Sequence, residues 1–519
     1  MRIGLLPLDE RPVNTRYPAM IAAIAGAQLA LPPAHLLSAR RRPASCEGLI
    51  AWLGQAAPQL DALIVSCEML GYGGLIAART SAEPLAAIVA RLDTLRDIRR
   101  ACPRLPILGF NVITRVSNAD DSVEEPEYWA EHGTRLYLLS QLLDRHAQGQ
   151  AVEAELARIE AAVPARLRHD FLGRRLRNHA ANLAALQLLA DGALDLLVLS
   201  SDDTSPFGLP SREKRWLAEW ARQLGFAAGA EALPAPTAAY RGAAQLLMYP
   251  GADEVGCALL ARLLNARSGA APRVVASYAP PAGAAQVAAY EDGPVGVTVE
   301  RQIRAIGGTL AGDSGDASDI WLGVNAPLAR RGEWLPELAA AERAERWPAL
   351  QALVAEARQR LARGQPVAIA DVAYPNGADP ALIEIMLGEI ELPALAAYGA
   401  WNTAGNSIGA ALAQASAARL IDGTVGRAAH ELFLLHRLLE DWGYQQLARA
   451  EVRTWLRAAH GLAEPGPALQ SETRTRVERR LAELIEQLPG FAGRYGIVPG
   501  SVQLPWGRTF EIDFALERR

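Results

Sequence analysis

The sequence predicts an α/β protein of parallel strands joined by crossover helices. Short runs rich in Val, Ile and Leu recur along its 519 residues, and each is followed by a loop and then a helical pattern. Strands buried on both faces read as continuous apolar runs, and strand alternating with helix is the signature of a parallel sheet. Half of the residues (50%) are apolar, enough to bury a large core without metal or disulfide staples.

Taken in order, strand runs fall at 3–7, 28–31, 62–66, 107–110, 194–199 and 245–248, then at 273–277, 320–324, 367–370 and 395–398. Helical patterns lie between most of them, as at 151–163, 176–189, 255–264 and 299–306. A break at Ser268-Gly-Ala-Ala-Pro272 divides the chain into an N-terminal lobe, 1–268, and a second lobe, 269–425. The tail, 426–519, reads as helical to Gly490 and ends in a strand-like run at 509–515. The strand count fits two facing α/β lobes, or a single (β/α)₈ barrel with added elements. Both arrangements place ligands at the carboxyl ends of the strands.

Composition narrows the chemistry. A formal charge of −5 offers no general attraction for a polyphosphate backbone, and the basic runs Arg40–Arg42 and Arg174–Arg177 are local, so nucleic acid is not the expected partner. The sole lysine, Lys214, lies in a polar helical run, which removes Schiff-base chemistry and the lysine-dependent phosphate loop. Cys46, Cys67, Cys102 and Cys257 form no Cys-x-x-Cys pair and suit a reducing, cytoplasmic setting. Apolar stretches of membrane length are broken by Arg, Asp, Pro or Gly, and the opening apolar run reads as a strand, so neither a membrane span nor a signal peptide is expected. No cofactor is implied and no histidine spacing suggests a metal site, although carboxylates alone could hold a divalent cation.

The strand-end loops carry the candidate site. Asp202-Asp203 follows one strand and precedes Thr-Ser-Pro-Phe-Gly; an Asx turn or helix cap is one reading, but the next helix has Ser211 as its own capping candidate, so the pair reads as site carboxylates, and since neighbours on an extended strand point to opposite faces, one carries the chemistry and the other orients it. Asp253-Glu254 reads two ways, as the cap and first turn of a helix or as site carboxylates. Asp379-Pro380 is assigned to capping. Around these stand Asp9, Arg11, Glu68, Asn111, Arg115, Asp371 and Asn376 as substrate-binding candidates. The run Tyr398–Gly409 adds Trp401 as a stacking face and Asn402 and Asn406 as amides, a mixture that suits a sugar. Ser407 matches a short Gly-x-Ser-x-Gly pattern, but its strand ends too early for a nucleophile elbow. Asn178 and Asn182 flank His179 on one helix face, which either lines a cleft or is solvated.

Pro7-Leu-Asp-Glu-Arg-Pro12, Met69-Leu-Gly-Tyr-Gly-Gly74, Asp202-Asp203, Tyr249-Pro-Gly-Ala-Asp-Glu254, Tyr374-Pro-Asn-Gly377, Trp401-Asn-Thr-Ala-Gly-Asn406 and Leu504-Pro-Trp506 together resemble the bacterial domain-of-unknown-function family 4127. That resemblance implies one full-length unit and no particular activity. Locally, Gly251-Ala-Asp-Glu-Val255 resembles the strand end of family 20 β-hexosaminidases, where the Asp orients the substrate acetamido group and the Glu is the general acid. Asp202-Asp203 is similar to the adjacent aspartates of family 84 hexosaminidases.

The expected function is a glycoside hydrolase or related carbohydrate-active enzyme, with Asp202, Asp203, Asp253 and Glu254 as its catalytic carboxyls and a small carbohydrate as substrate. Two alternatives use the same residues differently. One is a carboxylate-metal hydrolase, lyase or sugar isomerase with a divalent ion held by Asp9, Glu68, Asp202, Asp203 or Asp371. The other is a non-catalytic sugar-binding protein.

Overall fold

The computed structural model describes residues 1–202, 204–226, 246–269, 271–312, 318–336 and 338–519. The chain forms two compact units: unit 1 is Met1–Glu10 with Gln28–Gly256, and unit 2 is Arg11–Ala27 with Cys257–Arg519.

Unit 1 is built on β1 (Arg2–Leu6), β2 (Gln28–Ala30), β3 (Ala62–Ser66), β4 (Ile107–Ile113), β5 (Leu196–Ser201) and β6 (Leu246–Pro250). They form one six-stranded sheet in the order β2-β1-β3-β4-β5-β6, every pair parallel. β3, β4 and β5 are buried along their whole length, which is why their sequences show no polar alternation. Leu63, Val65, Ile107, Leu197 and Leu199 meet Leu53, Leu92, Leu95, Leu186 and Leu189 of the covering helices in one core. Each such side chain stabilises the unit by about 1.5–3 kcal/mol.

Unit 2 carries β7 (Arg273–Ala279), β8 (Thr309–Leu310), β9 (Ile320–Asn325), β10 (Val367–Asp371) and β11 (Ala397–Gly399). These form a parallel five-stranded sheet in the order β11-β10-β9-β7-β8. Counted from its own first strand, that order is 2-1-3-4-5, the same as the first five strands of unit 1. The chain therefore reverses direction across each sheet beside the first strand, between β1 and β3 and between β7 and β9. Such switch points open a crevice at the carboxyl ends of an open sheet. Trp321 of β9 anchors the unit 2 core, fully buried with its indole N–H donated to Ser277 Oγ (3.1 Å) and Glu356 Oε1 (3.0 Å).

The tail adds helices Gly423–Leu438, Arg449–His460 and Gln470–Ile485, a π-helical stretch at Leu439–Ala448, and an antiparallel pair, β12 (Tyr495–Ile497) with β13 (Leu516–Arg518). The early helix Pro12–Ile24 belongs to this unit, with Tyr17 edge-on to Phe433 and His436 and under Arg437. Proline at its first position fits because that N–H has no intrahelical partner.

Each of the ten apolar runs from 3–7 to 395–398 forms a strand, residue 245 lying outside the described residues. The strands make two open sheets, so the barrel arrangement does not occur. The strand-like run 509–515 is also not a strand. Its alternation arises because Ile512 and Phe514 are buried in the tail core, while only Asp513 bridges to Gln503; the true strand follows at Leu516–Arg518. Ser211 does not cap its helix, which begins at Leu209 after Gly208; the Ser211 hydroxyl is donated instead to Ser205 O (2.5 Å).

Candidate functional site

In unit 1 the two acidic turns lie on neighbouring strand ends. Gly251 N donates to Ser201 O (3.0 Å) in a bridge that extends the β5–β6 pairing past the regular strands. Asp202 and the Gly251-Ala-Asp-Glu turn therefore emerge side by side. Asp203 lies outside the described residues. Asp253 and Glu254 are both buried, and the Glu254 carboxylate folds over Gly251, where φ is +125° and a Cβ would overlap it. Only glycine leaves that space open without backbone strain.

Asp202 is held by Arg79, a residue the sequence does not single out. Arg79 ends the short helix Leu75–Thr80 and is buried; it also donates to Glu124 (3.0 Å) and lies 3.9 Å from Glu125. Arg115 joins the group through Glu124 (3.1 Å). Glu124-Glu125 is an acidic pair in a strand-end loop, the same pattern as Asp202-Asp203, but it lies well beyond the end of β4. Burial pushes the Glu125 carboxyl up to about 7, with Glu124 and Asp202 adding to the rise and Arg79 and Arg115 opposing it.

Glu68 and Asn111 also meet. Glu68 accepts hydrogen bonds from Asn111 Nδ2, Val112 N (2.7 Å) and Ser66 Oγ (3.2 Å), which ties the end of β3 to β4. Burial pushes its carboxyl up to about 7 against those bonds. Asp9 is buried in the turn after β1.

The remaining candidates belong to unit 2. Asp371 ends β10 fully buried, accepting from Asp379 N (2.6 Å) and Asn325 Nδ2 (2.8 Å). Asn376 and Asn402 are joined through Asn376 N and Asn402 O (3.0 Å), and both hold positive φ, 58° and 63°. Trp401 is buried with its ring edge-on to Phe510 at 6.0 Å, and Asn406 Nδ2 donates to Thr403 Oγ1 (3.2 Å). Glu291, which the sequence does not flag either, accepts from Gly405 N (2.8 Å) at the start of helix Ala404–Ala418. Arg11 lies 3.7 Å from Glu511 and over the Trp506 ring at 4.8 Å.

Backbone strain marks the same loops. Among the described residues, positive φ outside glycine occurs at Arg40, Tyr290, Asn376, Asn402 and Trp506. The first four lie in loops after β2, β7, β10 and β11, and Trp506 lies against Arg11 in the tail. Conformations of this kind cost about 1–3 kcal/mol each and concentrate at functional loops.

Other sequence candidates have local roles. Ser407 lies inside its helix with its hydroxyl donated to Trp401 O (2.9 Å). Asn178 and Asn182 are buried, Asn178 Nδ2 donating to Ala78 O (3.0 Å), so this helix face is not solvated. Asp379 caps the helix Pro380–Glu389 by accepting from Ala381 N (2.9 Å). Among the described residues no three His, Cys, Asp or Glu side chains converge as a metal-binding group, and no helix is long and apolar enough to cross a membrane.

The family model described as "Protein of unknown function (DUF4127)" matches residues 3–515. The chain belongs to that family. No curated protein matches it. In this DUF4127 chain six of the seven motif segments lie at the ends of parallel strands: Pro7–Pro12 follows β1, Met69–Gly74 follows β3, Asp202 follows β5, Tyr249–Glu254 spans the end of β6, Tyr374–Gly377 follows β10 and Trp401–Asn406 follows β11, while Leu504-Pro-Trp506 lies in the tail.

Glu68 gives a direct test of this electrostatic picture. The folded protein holds its proton more tightly than the unfolded chain does. Its contribution to stability is therefore full below the ordinary glutamate range, near 4.5, and is lost as pH rises through about 7. His436, whose burial lowers it to about 4, works in the opposite sense below 6.5, so the comparison must be made between proteins at each pH. Relative to wild type, Glu68→Gln is expected to gain on the order of 3 kcal/mol between pH 4.5 and pH 8. Urea midpoints of the two proteins across that range check it, and a constant difference would contradict the assignment.

Proposed function

We propose that the carboxyl edge of unit 1 is the active site of a glycoside hydrolase or related carbohydrate-active enzyme, with amino-sugar glycosides the first class to try. The observation that supports it best is the Ser201–Gly251 bridge, which sets the Asp202 turn beside the Asp253-Glu254 turn. Neighbouring strands run about 4.8 Å apart. Carboxyls carried on adjacent strand ends are the kind of pairing on which two-carboxyl cleavage of a glycosidic bond depends. Arg79 fixes the Asp202 oxygen, and Gly251 gives Glu254 a defined position, so both groups are preorganised. The local resemblance of Gly251–Val255 to a hexosaminidase strand end supports the amino-sugar preference.

On this reading one carboxyl protonates the leaving oxygen while another acts as base or nucleophile, around an oxocarbenium-like transition state. A panel of aryl glycosides, including N-acetylamino sugars, tests it. Wild-type turnover is expected on at least one member, and Glu254→Gln is expected to lower kcat by about 10²–10⁴-fold with folding intact. A folded wild-type protein inert toward the whole panel would count against the reading, and an undiminished Glu254→Gln variant against the site.

A further inference from the structure

Large apolar side chains are exposed unevenly on this molecule. Of twelve that stand exposed among the described residues, five fall together in unit 1: Leu172 and Leu176 on the helix Ala165–Ala190, Trp216 and Trp220 on the helix Leu209–Gln223, and Leu224 in the turn that ends it. Spacing of three and four residues puts Leu172, Leu176 and His179 on one face of the first helix, and Trp216, Trp220 and Leu224 on one face of the second. Each row is about 10–12 Å long. The His179 and Trp216 rings meet at 5.4 Å, which joins the two rows into one strip. Leu176 is 70% exposed and stands proud of the surface, whereas Leu186, Leu189 and Leu217 of the same helices are buried in the core against the sheet. The strip therefore plays no part in the core, and a connected apolar strip, unlike single exposed residues, marks an interaction surface.

The rim of the strip is basic. The two helices carry nine Arg or Lys residues against three Asp or Glu, in a chain whose formal net charge is −5. Carboxylates offset some of them: Arg174 pairs with Asp170, Arg175 with Glu213 and Arg222 with Glu219, while Glu160 and Asp144 from neighbouring helices pair with Arg168 and Arg215. Among the described residues Arg166, Arg177 and Arg212 form no ion pair. Arg166 is exposed in the first turn of its helix, Arg177 donates to the carbonyl oxygens of Ala78 (2.7 Å) and Ser81 (2.6 Å), and Arg212 lies over the Trp216 ring at 4.5 Å.

We propose that this face of unit 1 is a docking surface for an anionic lipid bilayer, with Leu172, Leu176, Trp216 and Trp220 entering the headgroup region and Arg166, Arg177 and Arg212 meeting the lipid phosphates. Leu and Trp in a row with Arg beside them is the composition that binds in the plane of an anionic membrane. Arg212, stacked on Trp216, holds its cation at the depth of the indole, and indoles settle at the headgroup level. Charge argues against a second copy of this chain as the occupant, because a two-fold contact would set the same basic rim against itself. Docking in the plane needs no membrane-crossing helix, and none occurs among the described residues. The proposal stands independently of the glycosidase reading.

Sedimentation of the full chain with vesicles tests it, using phosphatidylcholine alone and phosphatidylcholine with about one third phosphatidylserine. Binding is expected to the anionic vesicles, and is expected to fall about tenfold or more when salt is raised from roughly 0.05 M to 0.5 M. Leu176→Asp, outside the core, is expected to weaken binding about tenfold or more with the circular dichroism unchanged. The double variant Arg166→Gln with Arg212→Gln is expected to weaken it about 10–30-fold. A folded chain that stays in solution with the anionic vesicles overturns the proposal, and so does binding that both variants leave unchanged. Retention on polyglutamate without vesicle binding would assign the face to an acidic protein partner instead. A dimer in sedimentation equilibrium that Leu176→Asp abolishes would assign it to a second copy, and either result overturns the bilayer as occupant.

Discussion

Replacing Arg346 by methionine is expected to destabilise unit 2 by about 3–5 kcal/mol, seen as a lower urea midpoint with the folded-state circular dichroism preserved before the transition. Arg346 is 3% exposed, on the helix Ala339–Ala362. Its Nε donates to Asp379 Oδ2 (2.8 Å), and Nη2 donates to Asn325 Oδ1 and to Ala326 O (3.2 Å). Asp371 lies on the other side of Asn325, its carboxyl pushed up by burial and by the Asp379 carboxylate. One guanidinium therefore offsets an acidic pair whose side chains are both buried. Methionine fills much of the volume, so the loss isolates the charge rather than a cavity. The double variant Arg346→Met with Asp379→Asn is expected to recover part of the stability, because the buried carboxylate that lost its partner is then also gone. A single variant within about 1 kcal/mol of wild type would show that the cluster is not the electrostatic keystone of the β9–β10 edge.

The sheet architecture is largely legible in the sequence because parallel strands buried on both faces must be apolar throughout, as in Ala62–Ser66 and Ile107–Ile113. β8 escapes that signal: two exposed residues at a sheet edge bury nothing, so no pattern marks them. The helix Pro12–Ile24 shows a different limit. Its sequence marks it as a helix, but its place in unit 2 depends on Tyr17 meeting Phe433 and Arg437, contacts far away in the chain.

The site divides along the same line. Asp202 stands out as a candidate because an acidic pair after a strand, with the next helix starting several residues later, has no obvious structural task; Asp253-Glu254 also reads as a helix cap and first turn, so its sequence leaves both roles open. Arg79 looks like a cation that favours a helix C-terminus, and nothing local shows that it binds Asp202 and Glu124. Glu124 and Glu125 are hidden by the length of the loop that carries them. Asp379 was legible as a cap, and it does cap, but its ion pair with Arg346 depends on a residue from another helix. Trp401 offers a flat aromatic face in the sequence, whereas in the fold it is buried beside Phe510.

Asp202→Asn is expected to cost activity as heavily as Glu254→Gln. The substitution keeps size and most hydrogen bonding but removes the charge that Arg79 binds and that, on the proposed reading, acts on the reacting carbon or its water. Arg79 is buried and loses one partner, but it keeps Glu124 (3.0 Å), so the fold should survive at some cost in stability, and the loss of activity should fall on kcat rather than KM. The most direct test of the central claim, that the carboxyl edge of unit 1 is where the chemistry happens, is kcat for Asp202→Asn beside wild type on whichever glycoside the wild-type protein cleaves. The account predicts a fall of about 10²–10⁴-fold with the folded-state circular dichroism preserved; a variant that turns over at the wild-type rate would contradict it.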